Sequence, residues 1–468
     1  MFYEELSHPI FKLVSEESQK LGFETFVVGG FVRDLFLKRD SKDLDFVTVG
    51  SGIELASAVK NRIKGAHLNV FKNFGTAQIK TDDWEFEFVG ARKESYDRNS
   101  RKPKVEDGTF EDDIHRRDFT INTLAISLNK ANYGELIDTF EGISDLNNGI
   151  IRTPLEPKVT FSDDPLRMMR AVRFATQLNF KIEETTLAAL KSEATRLSII
   201  SQERITDELQ KIIKSKKPSI GFSILFDTKL LHEFFPEMVR LQGVEIREGK
   251  GHKDNFYHTL QVLDQACSRT NDLWVRWAAI LHDIAKPPTK RFLKGEGWTF
   301  HGHEDKGSRM IKPIFTRLKL PLGEPMRRVR NLVKLHLRPI ALTKDHITDS
   351  AVRRLIFDAG EDLEDLLILC KSDITTKNKK KEERFQANLV NVEENIAAVE
   401  ERDRIRNWQP PIDGAEIMKL FGIGPSREIG QIKTALKDAI LDGVITNNYN
   451  DAHKFVIEKG KQLGLQQQ

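Results

Sequence analysis

The sequence predicts an α/β head followed by an almost wholly α-helical remainder, and three observations carry that reading. Short apolar and β-branched runs (TFVVGG, LDFVTV, AQIK, EFEFVG and FTINTLAISL) alternate with amphipathic segments such as Ile53 to Ile63 over the first 150 residues. From Thr160 onward those runs stop, and apolar residues recur at helical spacing in DPLRMMRAVRFATQLNF and ITDELQKIIK. The length, 468 residues, exceeds what one core serves and implies roughly three or four domains.

Composition narrows the function classes. Charged residues make up 31% of the chain but the net charge is only +3, so strong uniform attraction to nucleic acid is not implied and any basic surface is local. The two cysteines, Cys267 and Cys370, sit in apolar helical patterns and are expected as core residues in a reducing cytosol. No run approaches the roughly 18 apolar residues that a membrane span needs. The N-terminal MFYEELSHPIF carries acids where a signal peptide has bases. The expectation is a soluble, cytoplasmic protein with no membrane partner. Charge runs interrupt the apolar periodicity at KSKKPS (214 to 219), REGKGHKDN (247 to 255) and KNKKKEER (377 to 384), which mark candidate breaks.

The stretch GGFVRDLFLKRDSKDLDFVTVG, residues 29 to 50, holds the first candidate site. Gly29 and Gly30 end one strand and open a helix, so backbone N–H groups can approach a triphosphate with no Cβ in the way. Arg33 lies one turn into that helix. Asp43 and Asp45 are two apart on the next strand, which sends both carboxylates to one face, where they can share a cation. Mg²⁺ prefers one or two carboxylates plus phosphate oxygens, which suits this spacing to a metal–nucleotide site.

The pattern GG-x-VRD followed by D-x-D resembles the nucleotidyltransferase head of the bacterial-type (class II) tRNA nucleotidyltransferase and poly(A) polymerase family with an HD domain. RRDFTINTLAIS (116 to 127), DTFEGISDLNNGIIRTP (138 to 154), DDPLRMMRAVRFATQLNF (163 to 180) and SQERITDEL (201 to 209) follow in the family's order. The resemblance implies a polymerase-β-like α/β head with a mixed five-stranded sheet, followed by all-α neck, HD and tail domains. It places the head at 1–153, a helical RNA-binding neck at 154–246, the HD domain at 247–376 and a helical RNA-binding tail at 377–468. It implies template-independent addition of CMP and AMP to the 3′ end of tRNA, with CTP, ATP and tRNA as partners and Mg²⁺ held by Asp43 and Asp45. A third carboxylate would come from EFEFVG, where Glu85 and Glu87 share a strand face; matching to the family's strand selects Glu87.

By the same resemblance Arg116, Arg117, Asp118 and Asn122 bind sugar and triphosphate, and arginine suits bidentate phosphate contact. DDPLR resembles the family's E-D-x-x-R motif, with Asp163 in place of glutamate. Asp164 and Arg167, three apart, are expected on one helical face. Cytosine and adenine offer an amine donor beside a ring-nitrogen acceptor, so a fixed carboxylate beside a fixed guanidinium fits both and repels uracil and guanine. Arg170 and Arg173 extend the nucleotide-binding set along the same segment. The polar stretch KESYDRNSRKPKVEDGTF, ending at Phe110, reads as a flexible loop of the kind that assists the switch from C to A addition.

Seven of the 12 histidines fall between residues 252 and 346. The ordered set His258, His282-Asp283, His303, His336 and Asp373 resembles an HD phosphohydrolase domain. His258, His282, Asp283 and Asp373 would form one shell for a divalent transition metal, with His303 and His336 available to a second ion. Lys286 is positioned to orient a phosphate. The basic runs KSKKP and KNKKK, and the tail segment containing FGIGPS (421 to 426), are expected to meet RNA phosphates. Poly(A) addition, CC-only or A-only addition, and a principal activity as an HD-domain RNA phosphatase or phosphodiesterase remain as alternatives.

Overall fold

The computed structural model describes residues 2–72, 75–95, 104–342, 348–375, 378–403 and 408–468. The chain forms two compact units, Met1–Val239 and Arg240–Gln468.

The first unit is built on a mixed sheet. Its strands are β1 (Glu24–Val28), β2 (Asp43–Val49), β3 (His67–Phe71), β4 (Thr76–Lys80) and β5 (Glu85–Gly90). After these come a separate ribbon, β6 (Arg92–Ser95) with β7 (Lys104–Asp107), and then β8 (Ala125–Ser127) and β9 (Leu136–Ile137). The sheet order is β3-β4-β5-β2-β1-β8-β9, and the β2–β5 pair is parallel while its other pairs are antiparallel. The crossover from β2 carries the helix Gly52–Asn61, capped by the Ser51 hydroxyl, which accepts from the Glu54 N–H at 3.2 Å. Alternation along β2 and β5 separates two chemistries. Leu44, Phe46, Phe86 and Phe88 are buried on one face, where Phe46 and Phe88 stack with ring centroids 5.0 Å apart. Asp43, Asp45, Glu85 and Glu87 occupy the other face.

The sheet has seven strands, not the expected five. β3 is nearly all exposed and β9 is two residues long, so neither carries the alternation that a sequence window detects. In FTINTLAISL only Ala125–Ser127 is strand, because Thr120–Asn122 turns as a 3₁₀ segment. The segment read as a loop before Phe110 is at its base the β6–β7 ribbon; residues 96–103 lie outside the described residues.

Among the described residues helices dominate from Pro157 onward, with three small exceptions. Ile150–Ile151 pairs with Lys181–Ile182, and two antiparallel ribbons, Ile246–Arg247 with Lys250–Gly251 and Arg291–Leu293 with Gly297–Thr299, interrupt the second unit. KSKKPS covers the turn after the helix Gln202–Ile213 and the first residues of the helix Pro218–Asp227, inside the first unit, so it is no boundary. KNKKKEER runs into the long helix Lys379–Asp403 instead of ending one. Its lysines and glutamates are good helix formers, and charge alone does not break a helix. Cys267 and Cys370 are free thiols, the second fully buried, and among the described residues no helix is long and apolar enough to cross a membrane.

Phe46→Ala should cost about 3–5 kcal/mol of stability in the first unit, because a stacked, fully buried ring is lost. Chemical denaturation followed by a probe in that unit checks it, and Phe46→Leu should cost clearly less.

Candidate active site and metal centre

The β2–β5 pairing sets Asp45 directly beside Glu87 and Asp43 beside Glu85. Burial first, and the neighbouring Asp43 charge next among the raising effects, lift the Asp45 carboxyl above its ordinary value in spite of Arg117. The surrounding protein and then Asp45 do the same to Glu87. Crowded, partly desolvated carboxylates are the hard-oxygen donor set that suits Mg²⁺, since a cation relieves their repulsion. Two or three carboxylates fill only part of an ion's shell, so phosphate oxygens would have to complete it.

A cleft of about 660 Å³ lies over these acids, and every residue predicted for nucleotide binding lines it. Gly29 has φ 72° and ψ −126°, a conformation open to glycine, and a Cβ there would meet the Arg117 guanidinium at 3.2 Å. Arg33, on the helix Gly30–Phe36, forks onto Asp34 at 2.9 and 3.0 Å and donates to the Asn122 side-chain oxygen at 2.9 Å. Arg116 and Arg117 both grip the buried Asp113. Burial alone would raise Asp113, but the two guanidinium charges outweigh it and hold the carboxyl below its usual value. Asp118 accepts from the Phe119 N–H, from Asn122 and from Arg170 at 2.9, 2.9 and 2.6 Å. It too lies low, burial being overcome chiefly by Arg170.

The structure corrects one expectation about DDPLR. Asp164 and Arg167 line the same cleft but do not share a helical face. Asp164 is extended, φ −134° and ψ 96°, between the helices Pro157–Asp163 and Leu166–Leu178. The cause is Pro165, which disfavours helical backbone in the residue before it. From there Asp164 accepts the Leu166 N–H at 3.1 Å and lies 3.8 Å from Arg204. Arg167 is held by carbonyl oxygens, Arg116 at 2.6 Å and Thr160 at 3.5 Å, which leaves further donors of its five free to meet a ligand. Arg173 donates to Glu208 at 2.5 Å, and the guanidiniums of Arg33, Arg170 and Arg173 lie 5.2, 5.4 and 4.0 Å from the Phe174 ring centroid.

Sequence reasoning did not single out Asp34, Asp113, Phe174, Arg204 or Glu208. Asp113 was detectable, since it precedes Arg116 and Arg117 by three and four residues at the end of the helix Phe110–His115. Arg204 and Glu208 lie within SQERITDEL, but their partners are distant in sequence.

In the second unit, the helices Asn255–Arg269, Leu273–Leu281, His303–Arg317, Glu324–Leu335 and Leu363–Asp373 bring all six predicted metal residues together. His258 Nε2 lies 3.0 Å from Asp373 and 3.5 Å from Asp283, and His282 Nε2 lies 3.2 Å from Asp283 and 3.5 Å from Asp373. His303 Nε2 is 3.3 Å from the other Asp283 oxygen and 3.4 Å from His336 Nε2. Asp283 therefore touches both halves of the cluster. Each histidine is anchored through Nδ1: on the Thr375 hydroxyl at 2.8 Å, and on the carbonyls of Ala279, Phe300 and Val333 at 2.8, 2.9 and 2.7 Å. Such anchoring turns the Nε2 lone pairs to the centre. His282 Nε2 is buried with the Asp283 and Asp373 carboxylates as its near neighbours, a donor arrangement that fits a divalent ion. Lys286 lies 2.6 Å from Asp283, and His346 lies outside the described residues.

Residues 25–152 match the Poly A polymerase head domain, 179–241 the probable RNA and SrmB-binding site of polymerase A, and 255–405 the HD domain. The chain is 32% identical over 424 residues to the A-adding tRNA nucleotidyltransferase of Deinococcus radiodurans, spanning 88% of this chain and 90% of that one. The chain belongs to the class II tRNA nucleotidyltransferase and poly(A) polymerase family. It is 32% identical to the multifunctional CCA protein of Tolumonas auensis, over 75% of this chain and 84% of that one. The family fold is shared with the Thermotoga maritima CCA-adding enzyme complexed with tRNA, at a TM-score of 0.59 and 22% identity, over 99% of this chain and 98% of that one.

The HD cluster makes a pH prediction. Burial opposes charge on His282, but Asp283 and then Asp373 outweigh it and raise its pKa to about 10. Burial and the His282 charge push His336 down to about 4. A bound ion must displace the proton on His282, so uptake of Mn²⁺ should release protons and apparent affinity should rise as pH rises toward 10. Calorimetry in buffers of different ionisation enthalpy checks the first, and titration at several pH values the second.

Proposed function

We propose that this protein extends the 3′ end of tRNA without a template, adding CMP and AMP from CTP and ATP to build or repair the CCA end. The observation that supports this best is the cleft, where the Asp43–Asp45 pair, the guanidiniums of the RRDFTIN run and the Asp164–Arg167 pair face one space. Mg²⁺ held by Asp43 and Asp45 with nucleotide phosphate oxygens would acidify the attacking 3′-hydroxyl and stabilise charge on the α-phosphoryl group. In the reaction the RNA 3′-oxygen bonds to the α-phosphorus, the bond to the β-phosphate oxygen breaks, and pyrophosphate leaves.

The chain's own residues bind and select. Arg116 and Arg117 are both held on Asp113, which fixes their guanidiniums at the cleft for the triphosphate. Gly29 and Gly30 let it come close. Arg33, Asp118 and Asn122 form a hydrogen-bonded set for sugar and phosphate, with Arg170 fixed on Asp118. Arg167, immobilised by two carbonyls, presents donors to the ring nitrogen of C or A while Asp164 accepts from the exocyclic amine. Preorganisation of this kind removes most of the entropy cost of ordering the reader at each addition. Glu87 borders the metal pair as the third acid. The head, neck, HD and tail division, and cytoplasmic action on tRNA, complete the reading.

A-only addition is the second reading, and the name of the Deinococcus relative favours it. The HD cluster is read as a separate centre for a divalent transition metal with phosphohydrolase activity, because its donors, buried imidazoles and carboxylates, differ from the carboxylate set of the head.

Asp43→Ala or Asp45→Ala should lower nucleotide addition roughly a hundred- to a thousandfold while tRNA affinity changes little. Arg167→Ala should narrow the preference for C and A over U and G by about tenfold or more while triphosphate affinity persists. Incorporation of each nucleotide alone measures both. Sequencing the 3′ ends made from tRNA lacking CCA, and from tRNA ending in CC, separates full from A-only addition: product from the second substrate alone would overturn the CCA reading.

A further inference from the structure

The two ribbons of the second unit place aromatic rings and cations together beside the HD cluster. Trp298 Nε1 donates to the Lys250 carbonyl at 3.2 Å, which ties one ribbon to the other. The His252 ring centroid lies 5.7 Å from that of Trp298 and 5.8 Å from that of Phe300, and Phe292 lies 5.2 Å from Trp298. Aliphatic side chains close the core of an ordinary ribbon. Here cations lie over the rings: Lys290 at 4.4 Å from the Trp298 centroid, Arg247 at 4.8 Å from Phe292 and Lys286 at 5.6 Å from Phe300. The rings of His252, Phe292, Trp298 and Phe300 stay half-buried.

This surface is joined to the metal residues at three points. The Phe300 carbonyl anchors His303 at 2.9 Å, and Lys286 spans from the Phe300 ring to Asp283. On the other side Lys253, next to His252, donates to the Thr375 carbonyl at 3.1 Å, and the Thr375 hydroxyl holds His258 at 2.8 Å. Half-exposed rings interleaved with cations are the composition that holds nucleobases and their phosphates. Neither the nucleotide cleft of the head nor a metal shell uses these rings.

We propose that Trp298, His252 and Phe300, with Arg247, Lys290 and Lys286, form a shelf that binds a nucleoside phosphate and presents its phosphate to the HD cluster. The base stacks on a ring, and the phosphate is taken up by Arg247, or by Lys290 in exchange for Glu245, its partner at 2.6 Å. The shelf rests on the reading of the HD cluster as a divalent-metal site. A free nucleotide and an RNA 3′ end share the chemistry that it recognises.

Photolabelling of the full-length protein with azidoadenosine 3′-phosphate, followed by peptide mapping, reads this surface apart from the head cleft. Label should appear in peptides spanning residues 247–252 or 291–300. It should fall about tenfold or more in Trp298→Ala and survive in Trp298→Phe, as stacking requires. Excess inorganic phosphate should leave most of it in place. Stronger competition by a short RNA with a 3′-phosphate than by 3′-AMP identifies an RNA end as the ligand, and equal competition identifies a free nucleotide. Absence of label from both segments, or equal label in Trp298→Ala, overturns the shelf. Mn²⁺ uptake by equilibrium dialysis is read in parallel: wild type and Trp298→Ala should take up the same amount, which also reports an intact fold. Failure of the wild type to take up Mn²⁺ overturns the metal reading and with it the presentation step, whereas normal uptake without label overturns the shelf alone.

Discussion

The parallel pairing of β2 with β5 is the constraint on which the first site depends. Because the register is Asp45 to Glu87, every acid on the two strands falls on one face and every phenylalanine on the other. A slip by one residue would send the acids into the core and the rings into the cleft. The buried face stops such a slip. Phe46 and Phe88 stack under the carboxylates, with Phe11 6.1 Å from Phe46. Apolar burial thus supplies the free energy that holds like charges side by side, and a cation with a triphosphate would relieve the repulsion.

The arginines of the cleft follow a second rule: most have a dedicated acid. Arg33 is fixed by Asp34, Arg170 by Asp118, Arg173 by Glu208, and Arg116 with Arg117 by Asp113. Unpaired, these guanidiniums would repel one another around Phe174 and lose their geometry. Paired, they keep fixed positions, and binding a nucleotide there would cost little reorganisation. The HD cluster solves the same problem with different donors. Four imidazoles are anchored through Nδ1, which turns their Nε2 atoms toward the Asp283 side of the cluster. The two sites are chemically distinct, one of exposed and half-buried carboxylates, the other of buried imidazole and carboxylate.

Much of this was legible in the sequence, for physical reasons. The D-x-D spacing and the glycine pair are local, and strand periodicity suffices to place them on one face. The order of the HD residues, spread over more than a hundred positions, was legible through family resemblance and not through spacing. What escaped was of four kinds. β3 and β9 are too exposed or too short to carry a pattern. The ribbon at the base of the predicted loop pairs two polar segments, which composition cannot distinguish from a loop. The helical-face reading of Asp164 and Arg167 overlooked Pro165 between them, although a proline's effect on the preceding residue is itself a sequence rule. The acids that hold Arg173 and Asp164's neighbour Arg204 are joined through tertiary packing, and no local window contains it.

The central claim is that one preorganised cleft receives both nucleotides and rejects the others. Competition calorimetry of the full-length protein with unreactive analogues of CTP and ATP tests it most directly. The account predicts mutually exclusive binding of the two at a single site in the first unit, with UTP and GTP analogues bound distinctly more weakly. Simultaneous, independent binding of the CTP and ATP analogues, or equal binding of all four, would contradict it.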